Sequence, residues 1–289
     1  CGIKASGACT KSSDCHTTTN QMRTTKIESI TAETPTIKSF TFNDELCSKA
    51  KPGQFIMIWI PGVDEIPMSL STLNLRKNQA AITAEKVGTA TEALHTKKLG
   101  DTIGVRGPFG NGYTTVNNQK VMIVGGGTGL ASLAPLAENL AKAKNQITFL
   151  MGAKTKTNLL FHLRISKQLL KSKGQLIVTT EDGTFGQKGL ITTAAERCLQ
   201  ESKKYSMIYA CGPEKMMHKM LLLAEEFHVP FEASLERFMR CAIGICGTCT
   251  ISKYRVCQDG PVFTGKKLSD AKEEFGHWRK TLNGRKATI

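Results

Sequence analysis

The sequence predicts a β-barrel followed by an α/β domain with a parallel sheet and then by a small cysteine-containing domain. Three observations carry this prediction. Short β-type runs with turn residues between them extend to about residue 116, strands and helices alternate from there to residue 228, and closely spaced cysteines follow. A chain of 289 residues is long enough for two or three modest domains, each with its own core.

The first folded domain is expected over residues 24–116. Its β-type runs are residues 27–30, 36–42, 54–60, 80–85 and 101–105. Adjacent proline and glycine residues at 52–53, 61–62 and 107–108 separate these runs, and one helix is expected over 91–99. This alternation of short strands and turns is typical of a small antiparallel barrel.

The second domain is expected over residues 117–228. Apolar runs at 121–124, 147–151, 175–179 and 206–210 predict strands. Segments with helical spacing follow them at 130–143, 159–171, 190–198 and 214–227. Strands that alternate with helices at this pace indicate a parallel sheet with right-handed crossovers.

The composition predicts an N-terminal tail and a basic surface. Residues 1–23 are rich in Thr, Ser, Lys and Cys without apolar periodicity, so we expect a disordered tail. Its Cys9, Cys15 and His16 could bind a metal, although adventitious thiols in a loose tail are favoured. The formal net charge is +15, but the basic residues are spread along the chain without an aromatic-interleaved platform. We therefore expect a solvated basic surface and no nucleic-acid partner.

The third domain, expected over residues 229–289, contains four cysteines at C-x4-C-x2-C-x7-C spacing. They are Cys241, Cys246, Cys249 and Cys257. The opening x4 and x2 gaps match plant-type [2Fe–2S] spacing, and Gly244 and Gly247 let the backbone wrap around a cluster. Structural zinc is the alternative, although zinc sites usually use two C-x2-C pairs and the second pair is absent here.

The remaining cysteines bear on the cellular compartment. An iron–sulfur protein matures in a reducing compartment, which argues against a disulfide framework among the ten cysteines. We find no signal peptide, and no apolar run approaches the ~18 residues of a membrane span. These observations predict a cytoplasmic protein.

A glycine-rich turn marks a candidate dinucleotide site. The sequence Gly125-Gly126-Gly127-Thr128-Gly129 lies between a buried strand and a helix, where backbone N–H groups can approach a phosphate. It is not a strict G-x-G-x-x-G, and no acidic residue follows about 20 positions later. The loops carrying Asp182 and Cys211-Gly212-Pro213 follow later strands and belong at the same edge of the sheet. A buried structural thiol is the alternative for Cys211.

Two segments of the barrel offer hydroxyl groups and free amides. Pro67, Met68, Ser69 and Leu70 follow a strand and a turn, and suit the edge of a flavin ring. The second segment suits a pyrophosphate at a helix start. Its candidate residues are Glu85, Lys86, Gly88, Thr89, Ala90 and Thr91. Taken alone, both segments could be ordinary turns.

The order of these features resembles the ferredoxin–NADP reductase superfamily, and within it the electron-transfer subunits of two-subunit, NAD-linked dihydroorotate dehydrogenases. The resemblance extends from about residue 25 to about residue 268. Residues 64–71 look like the flavin segment of archaeal-type members, and residues 106–113 look like the loop between the two domains. Residues 235–241 and 259–263 look like the cluster domain, which is the most specific stretch.

The resemblance implies an oxidoreductase subunit with FAD, a [2Fe–2S] cluster and NAD as cofactors. In this family, dihydroorotate is oxidised at FMN in a separate catalytic subunit, and the electrons pass through the cluster and FAD to NAD in pyrimidine biosynthesis. The flavin lies between the other two because it exchanges electrons singly and in pairs. No residue of this chain need act as a general acid or base, so we expect no catalytic side chain. A heterotetramer is the expected assembly.

One departure concerns the FAD phosphates. Many superfamily members have an arginine shortly before the flavin-facing serine, where this chain has Ile66 or Pro67. Backbone amides, the helix start near Thr91 or Lys86 would have to neutralise the phosphates. The basic residues at 153–157 favour NADPH, whereas the family implies NAD.

Two alternative functions and one surface expectation complete the interpretation. The chain could be the FAD and [2Fe–2S] subunit of a hydrogenase or sulfur reductase, or a zinc-bearing, non-enzymatic regulator on a flavin-reductase scaffold. Near the cysteines, we expect Phe238 and Met239 to contact a partner, and Ile243 and Ile245 to pack around the cluster.

Overall fold

The computed structural model describes residues 19–172, 174–201, 204–281 and 283–289. Its first part is a closed antiparallel barrel with the strand order β1-β2-β5-β4-β3-β6. The strands are β1 (Arg23–Ala32), β2 (Ile37–Asn43), β3 (Phe55–Ile60), β4 (Asp64–Asn74), β5 (Gln79–Glu85) and β6 (Thr102–Phe109). The antiparallel barrel inferred from the turn pattern is therefore confirmed.

Strand β4 was not among the expected strands, because Pro67 interrupts its pattern and cannot donate to a sheet ladder. The structure accommodates Pro67 by dividing the pairing of β4. Residues 64–69 pair with β3, whereas pairing with β5 begins only at Leu70 among the described residues. One edge of the segment 64–69 therefore stays open.

Two short helices belong to the barrel, α1 (Glu45–Ser48) and α2 (Thr89–Thr96). Helix α2 begins two residues earlier than expected and ends three residues earlier. The Thr91 hydroxyl accepts hydrogen bonds from the backbone N–H groups of Val87 and Gly88, at 3.0 and 3.1 Å. These bonds satisfy donors at the N-terminus of α2, which explains why the helix begins at Thr89.

The second part is a sheet of seven strands in the order β10-β9-β8-β7-β11-β12-β15. Its strands are β7 (Lys120–Gly126), β8 (Gln146–Ala153), β9 (Gln175–Thr180), β10 (Gln187–Lys188), β11 (Met207–Cys211), β12 (Phe231–Ser234) and β15 (Val262–Thr264). Its main helices are α3 (Leu130–Lys142), α4 (His162–Ser172), α5 (Ile191–Glu201) and α6 (Glu214–Glu226). All pairs are parallel except β12 with β15, as the alternation of strands and helices predicts.

The sheet continues beyond residue 228, where the sequence led us to begin the cysteine domain. Strand β12 pairs with β11, and β15 returns antiparallel beside β12. Short elements complete the C-terminal part. They are β13 (Thr250–Ile251), β14 (Tyr254–Arg255), α7 (Val256–Asp259), α8 (Gly265–Ser269), β16 (Trp278–Lys280) and β17 (Lys286–Thr288). The cysteine segment is therefore an insertion between two strands of one sheet.

At the N-terminus, the expected tail and the structure overlap only in part. Residues 1–18, with Cys9, Cys15 and His16, lie outside the described residues. Arg23 is the first residue of β1 and pairs with Val105, so the barrel begins one residue before the expected boundary. Among the described residues, no helix is both long and apolar enough to cross a membrane.

Candidate functional site

The glycine turn after β7 and the loop after β11 meet at the carboxyl edge of the sheet. Gly125 lies beside Cys211 in the register of β7 and β11. A Cβ added to Gly129 would come within 2.4 Å of the Cys211 carbonyl oxygen, so only glycine fits there. The two predicted nucleotide loops are thus in direct contact.

The same contact involves the flanking residues of both loops. A Cβ at Gly126 would lie 3.2 Å from Pro213 Cδ, and one at Gly212 would lie 2.8 Å from the Gly126 carbonyl oxygen. Gly127 has a φ of 55° and nothing within 4 Å of its ideal Cβ position. With Thr128 it forms a turn that leads into α3, so the first N–H groups of this helix point towards the sheet edge. This geometry suits an anionic phosphate.

The Cys211 thiol is buried and not reactive. Its Sγ donates to the Ser234 carbonyl at 3.5 Å, and the residue is 3% exposed. Burial raises the pKa of this thiol to about 12, so it remains protonated at neutral pH. Cys211 therefore shapes the floor of the site as a small neutral group.

Asp182 lies in the loop after β9, on the same sheet edge but two strands away from β7. Its backbone N–H donates to the Lys154 carbonyl at 3.3 Å, which joins the loops after β8 and β9. The Asp182 carboxylate is exposed and accepts hydrogen bonds from the Thr184 N–H and hydroxyl. These bonds lower the pKa of Asp182, so it presents a negative charge beside the basic loop that carries Lys154.

The flavin candidates lie along β4. Ser69 pairs with Phe55 and Pro67 with Met57, while Met68 and Leu70 point to the opposite face of the strand. Pro67, Met68 and Ser69 are half-buried, and the Ser69 hydroxyl has no hydrogen-bond partner among the described residues. The open edge of this segment supplies further unpaired backbone groups. A flat heterocyclic ring with polar edges fits this surface.

The flavin strand is fixed to the nucleotide-binding domain by Arg164 of α4. The Arg164 guanidinium donates to the Ser71 carbonyl at 2.8 Å and pairs with Glu138 of α3 at 2.7 Å. This arrangement keeps β4 at a constant distance from the helix that follows the glycine turn. The flavin strand therefore lies against the helix that begins after the glycine turn, and we call the region between this strand and the two nucleotide loops the cleft.

The second barrel segment runs from the end of β5 into α2. Glu85 is half-buried, Ala90 is half-buried and Thr91 is buried, whereas Lys86, Gly88 and Thr89 are exposed. The Lys86 side chain makes no hydrogen bond or ion pair with any described residue. An exposed cation beside a helix N-terminus can neutralise a phosphate, which fits the expectation that Lys86 replaces the missing arginine.

Glu236 is a cleft residue that the sequence did not reveal. It follows β12, and its carboxylate is close enough to raise the pKa of Cys211. Glu236 is exposed beyond the end of β12. In the sequence Glu236 belongs to the cysteine-domain motif, and its proximity to Cys211 depends on β12 joining the sheet.

The four cysteines of the third region are brought together by the loop 241–249 and by α7. Backbone N–H groups of Ile245 and Cys246 donate to Cys241 Sγ at 3.4 Å each, and the Cys257 N–H donates to Cys249 Sγ at 3.4 Å. Gly244 and Gly247 have φ values of 78° and 70°, the left-handed conformation that the tight loop requires. The glycines therefore act as the sequence indicated.

The chemistry of these thiols suits a cluster. The Thr248 hydroxyl lowers the pKa of Cys246 to about 6. Hydrogen bonding between Cys249 and Cys257 lowers the pKa of Cys249 to about 6 and raises that of Cys257. Thiolates are the ligands that iron requires. The Cys246 N–H donates to Cys241 Sγ and the Cys257 N–H to Cys249 Sγ, so the thiols lie in two pairs, and a [2Fe–2S] cluster requires two thiolates at each iron.

The surface near the cysteines differs from the expectation in one respect. Phe238 is exposed, as expected for a contact residue, but Met239 is 8% exposed and belongs to the core. Ile245 is 78% exposed and Ile243 is 40% exposed, so neither packs inside the cluster shell. The exposed apolar side chains near the cysteines are therefore Phe238, Ile243 and Ile245.

Comparisons with known families agree with this geometry. The model for the iron–sulfur cluster binding domain of dihydroorotate dehydrogenase B matches residues 236–269. The model for the oxidoreductase NAD-binding domain matches residues 123–221. The first match contains all four cysteines, and the second contains the glycine turn and the Cys211 loop.

Two archaeal proteins are similar over nearly the whole chain. Both are described as the probable electron transfer subunit of dihydroorotate dehydrogenase B (NAD(+)). The one from Methanocella arvoryzae is 42% identical, over 91% of this chain and 97% of the relative. The one from Methanocaldococcus jannaschii is 40% identical, over 90% of this chain and 96% of the relative.

Solved structures give the same fold. A chain of the NADH-dependent reduced ferredoxin-NADP oxidoreductase superposes with a TM-score of 0.76 and 32% identity, over 86% of this chain and 91% of that chain. The cytochrome b5 reductase domain of Ulva prolifera nitrate reductase shares the fold at 15% identity, with a TM-score of 0.63 over 73% and 94% of the two chains. On these similarities, the protein belongs to the family of electron-transfer subunits of NAD-linked dihydroorotate dehydrogenase.

Proposed function

We propose that this protein carries electrons from a dihydroorotate-oxidising catalytic subunit, through a [2Fe–2S] cluster and FAD, to NAD. When bound, FAD exchanges one electron at a time with iron–sulfur centres and two with a nicotinamide. The observation that carries the proposal is the contact between the cysteine segment and the barrel. Phe55 and Phe109 of the barrel share one hydrophobic core with Cys249 and Cys257.

That contact is reinforced by the loop after β6. The Asn111 N–H donates to the Gly260 carbonyl at 2.6 Å, and the Asn111 side chain donates to the Asp259 carbonyl at 3.1 Å. Arg106 pairs with Glu65 of the flavin strand at 2.7 Å, and its guanidinium also reaches the Cys241 carbonyl at 3.5 Å. These contacts join the cluster segment to the flavin strand without a flexible linker, which suits electron transfer between two fixed centres.

Each group would be held by its own set of residues. The FAD ring would lie along Pro67–Leu70, and its pyrophosphate near Glu85, Lys86 and the α2 N-terminus (Gly88–Thr91). The nicotinamide nucleotide would use the glycine turn (Gly126–Gly129), Asp182 and Cys211–Pro213. The cluster would be held by Cys241, Cys246, Cys249 and Cys257. The chain's own part is to bind and orient these groups, because the cofactors carry the redox chemistry.

The partner would be the FMN-containing catalytic subunit. A one-electron centre is useful only beside another redox centre, so the exposed face formed by Phe238, Ile243 and Ile245 would lie against that subunit. Arg240 at its edge gives this apolar patch a charged rim. We infer two copies of each subunit in a cytoplasmic heterotetramer.

The decisive experiment combines composition with reconstitution. Anaerobically purified protein should be brown and contain about two irons per FAD. Mixed with the catalytic subunit, it should co-elute in size-exclusion chromatography and reduce NAD when dihydroorotate is added. Stoichiometric zinc without visible absorbance, or a monomer without dihydroorotate-dependent NAD reduction, would contradict the proposal.

The nucleotide preference needs its own measurement. The loop after β8 presents Lys154 and Lys156 to solvent, whereas the Asp182 carboxylate lies on the neighbouring loop. A carboxylate favours the ribose hydroxyl of NAD, and basic residues favour the 2′-phosphate of NADP. We expect NADH to reduce the bound FAD faster than NADPH in stopped-flow experiments. A strong preference for NADPH would reverse this assignment.

A second candidate function is favoured by one comparison. The 32% identity with a chain of the NADH-dependent reduced ferredoxin-NADP oxidoreductase shows that this scaffold also occurs in an enzyme with another described activity. A role as the FAD and [2Fe–2S] subunit of such an enzyme, or of a hydrogenase or sulfur reductase, predicts a different co-purifying subunit. Affinity purification of the tagged chain from its own cells, with identification of the bound subunit, distinguishes these functions.

A further inference from the structure

Arg255 acts on the cluster loop from outside it. Its Nη1 donates to the Gly244 carbonyl at 2.7 Å, a short bond between a charged donor and a backbone acceptor. The Arg255 backbone N–H donates to Asp259 Oδ2, also at 2.7 Å, which fixes the residue directly before α7. Arg255 therefore ties the segment that carries Cys257 to the loop that carries the other three cysteines.

The peptide group held by Arg255 also bonds a ligand sulfur. The carbonyl of this group belongs to Gly244 and its N–H belongs to Ile245, which donates to Cys241 Sγ at 3.4 Å. The bond between residues 244 and 245 is trans, so its carbonyl and N–H point in opposite directions. A guanidinium on the carbonyl side therefore orients the N–H towards the sulfur.

Polarisation acts in the same direction. A cation bonded to the carbonyl oxygen withdraws electron density from the peptide group and makes its N–H a stronger donor. Hydrogen bonds to cluster sulfurs are one of the properties that set the reduction potential of an iron–sulfur centre. They stabilise the reduced form, which carries more negative charge on its sulfurs, and so raise the potential.

Steric contacts keep this peptide group in place. Gly244 has a φ of 78°, and a Cβ added to it would lie 2.2 Å from Gln258 Oε1. Gln258 belongs to α7, as does Cys257, so one short segment holds Gly244 by both a hydrogen bond and a close contact. The second donor to Cys241, the Cys246 N–H, belongs to the next peptide group, whose carbonyl Arg255 does not bond.

We propose that Arg255 is a positioning residue that raises the reduction potential of the cluster through the peptide group between Gly244 and Ile245. This inference rests on the proposed function, because it requires the cluster to be bound by the four cysteines. It assigns to Arg255 a role in setting how readily the cluster accepts electrons from the partner. Arg255 itself touches neither cofactor nor substrate in this role.

The test is a redox titration of the whole chain, followed by electron paramagnetic resonance of the reduced cluster. In Arg255→Gln, the equilibrium between cluster and FAD should shift about tenfold towards the oxidised cluster. That change corresponds to about 59 mV for a one-electron couple. The spectrum of the reduced cluster should change as well. Arg255→Lys should show a smaller shift, because it keeps the charge but loses the planar fork.

Lys253→Gln is the matched control. Lys253 is a cation in the same hairpin, its side chain is 66% exposed, and it pairs with Asp270 at 3.3 Å without touching the cluster loop. This variant should retain the wild-type potential. An equal shift in Lys253→Gln and Arg255→Gln would show a general charge effect and overturn the proposal, as would a wild-type potential in Arg255→Gln.

Two further outcomes are separable. If Arg255→Gln assembles no cluster, the test is made with Arg255→Lys. A lowered reduction potential in Arg255→Lys supports the proposal. A wild-type potential and spectrum in that variant overturn it. If the wild-type protein itself binds no iron, the proposed function fails. If wild-type and variant bind equal iron at equal potential, only the role of Arg255 fails.

Discussion

The cleft and the cysteine loop are built on opposite principles. The cleft gathers residues from distant parts of the chain, because β7 and β11 end side by side at one edge of the sheet and Arg164 ties β4 of the barrel to α3. The cysteine loop takes all its ligands from residues 241–257, and its shape depends on local hydrogen bonds to cysteine sulfurs and on the short β13–β14 hairpin. Substitutions in the cleft should therefore alter folding and nucleotide binding together, whereas substitutions in the loop should remove one cofactor and leave the rest intact.

The largest effect is expected for Cys246→Ser, a substitution in the cysteine loop. Cys246 is exposed, so its loss should cost little stability, but serine cannot supply the thiolate that an iron requires. We expect complete loss of the visible cluster absorbance while NADH still reduces bound FAD, measured by anaerobic spectroscopy. Cys198→Ser on α5 is the matched control and should keep its iron. Retention of the cluster in Cys246→Ser would remove this residue from the ligand set.

The contact between the nucleotide-binding domain and the segment that leads to the cysteine loop can be tested at Glu214. Its carboxylate pairs with Arg237 at 2.6 Å, and the two side chains are only 8% and 2% exposed. In Glu214→Ala, the buried guanidinium is left unpaired, which should cost about 3–5 kcal/mol of unfolding free energy. Glu196→Ala is the control, because its pair with Lys219 is long, at 4.0 Å, and exposed, and should cost under about 1 kcal/mol. Equal losses in denaturant titrations would contradict this account.

Substitutions at two glycines of the glycine turn distinguish loop contact from backbone conformation in the cleft. Gly129→Ala meets the Cys211 carbonyl at 2.4 Å, so the two loops must separate, at a cost of about 1–3 kcal/mol and with weaker NADH binding. Gly127→Ala meets nothing within 4 Å but forces alanine into a φ of 55°, which should cost about 1 kcal/mol. Thermal unfolding with NADH titration separates the two. A larger loss of stability and NADH binding in Gly127→Ala would show that the backbone conformation of the turn matters more than its contact with the Cys211 loop.

The smallest expected effect lies in the barrel, at the Arg23–Asp44 pair. Desolvation opposes ionisation of Asp44, but hydrogen bonds from Arg23 and from the Cys47 N–H outweigh it and lower the pKa of Asp44. Because the folded-state pKa is lowered, the stabilisation is present above the unfolded pKa of about 3.9 and is lost as the pH falls through the folded value.

Asp44→Asn should therefore lose about 1 kcal/mol at pH 7 and approach the parent protein below about pH 4. Urea titrations at several pH values, made in the Cys246→Ser background, keep acid loss of the cluster out of the measurement. A difference that stays constant across this range would show that the charge of Asp44 does not matter.

The sequence predicted those parts that depend on local pattern. The cysteine spacing and the glycine turn both involve neighbours in the chain, and the structure brings each set together as expected. Features that depend on pairing between strands distant in the sequence were not predicted. Pro67 concealed β4, because the open edge that tolerates proline appears only once β5 begins pairing at Leu70.

The cleft and the contact surface were incomplete for the same reason. Glu236 reaches the cleft only because β12 extends the sheet. The exposure of Ile245 and the burial of Met239 follow from how the loop packs on the core that it shares with the nucleotide-binding domain, which residue type alone does not determine. Hydrophobicity near the cysteines predicted a contact surface but not which side chains form it.

The position of the cysteine segment between β12 and β15 has a consequence for synthesis. During translation, the edge of the nucleotide-binding sheet cannot be completed until Val262–Thr264 leaves the ribosome, by which time all four cysteines have already emerged. The four thiols are therefore available for ligand binding before this edge of the sheet is complete. For the same reason, the cysteine segment cannot be exchanged between relatives as an independent cassette, because a transplanted segment must also reproduce the register of the two strands that carry it.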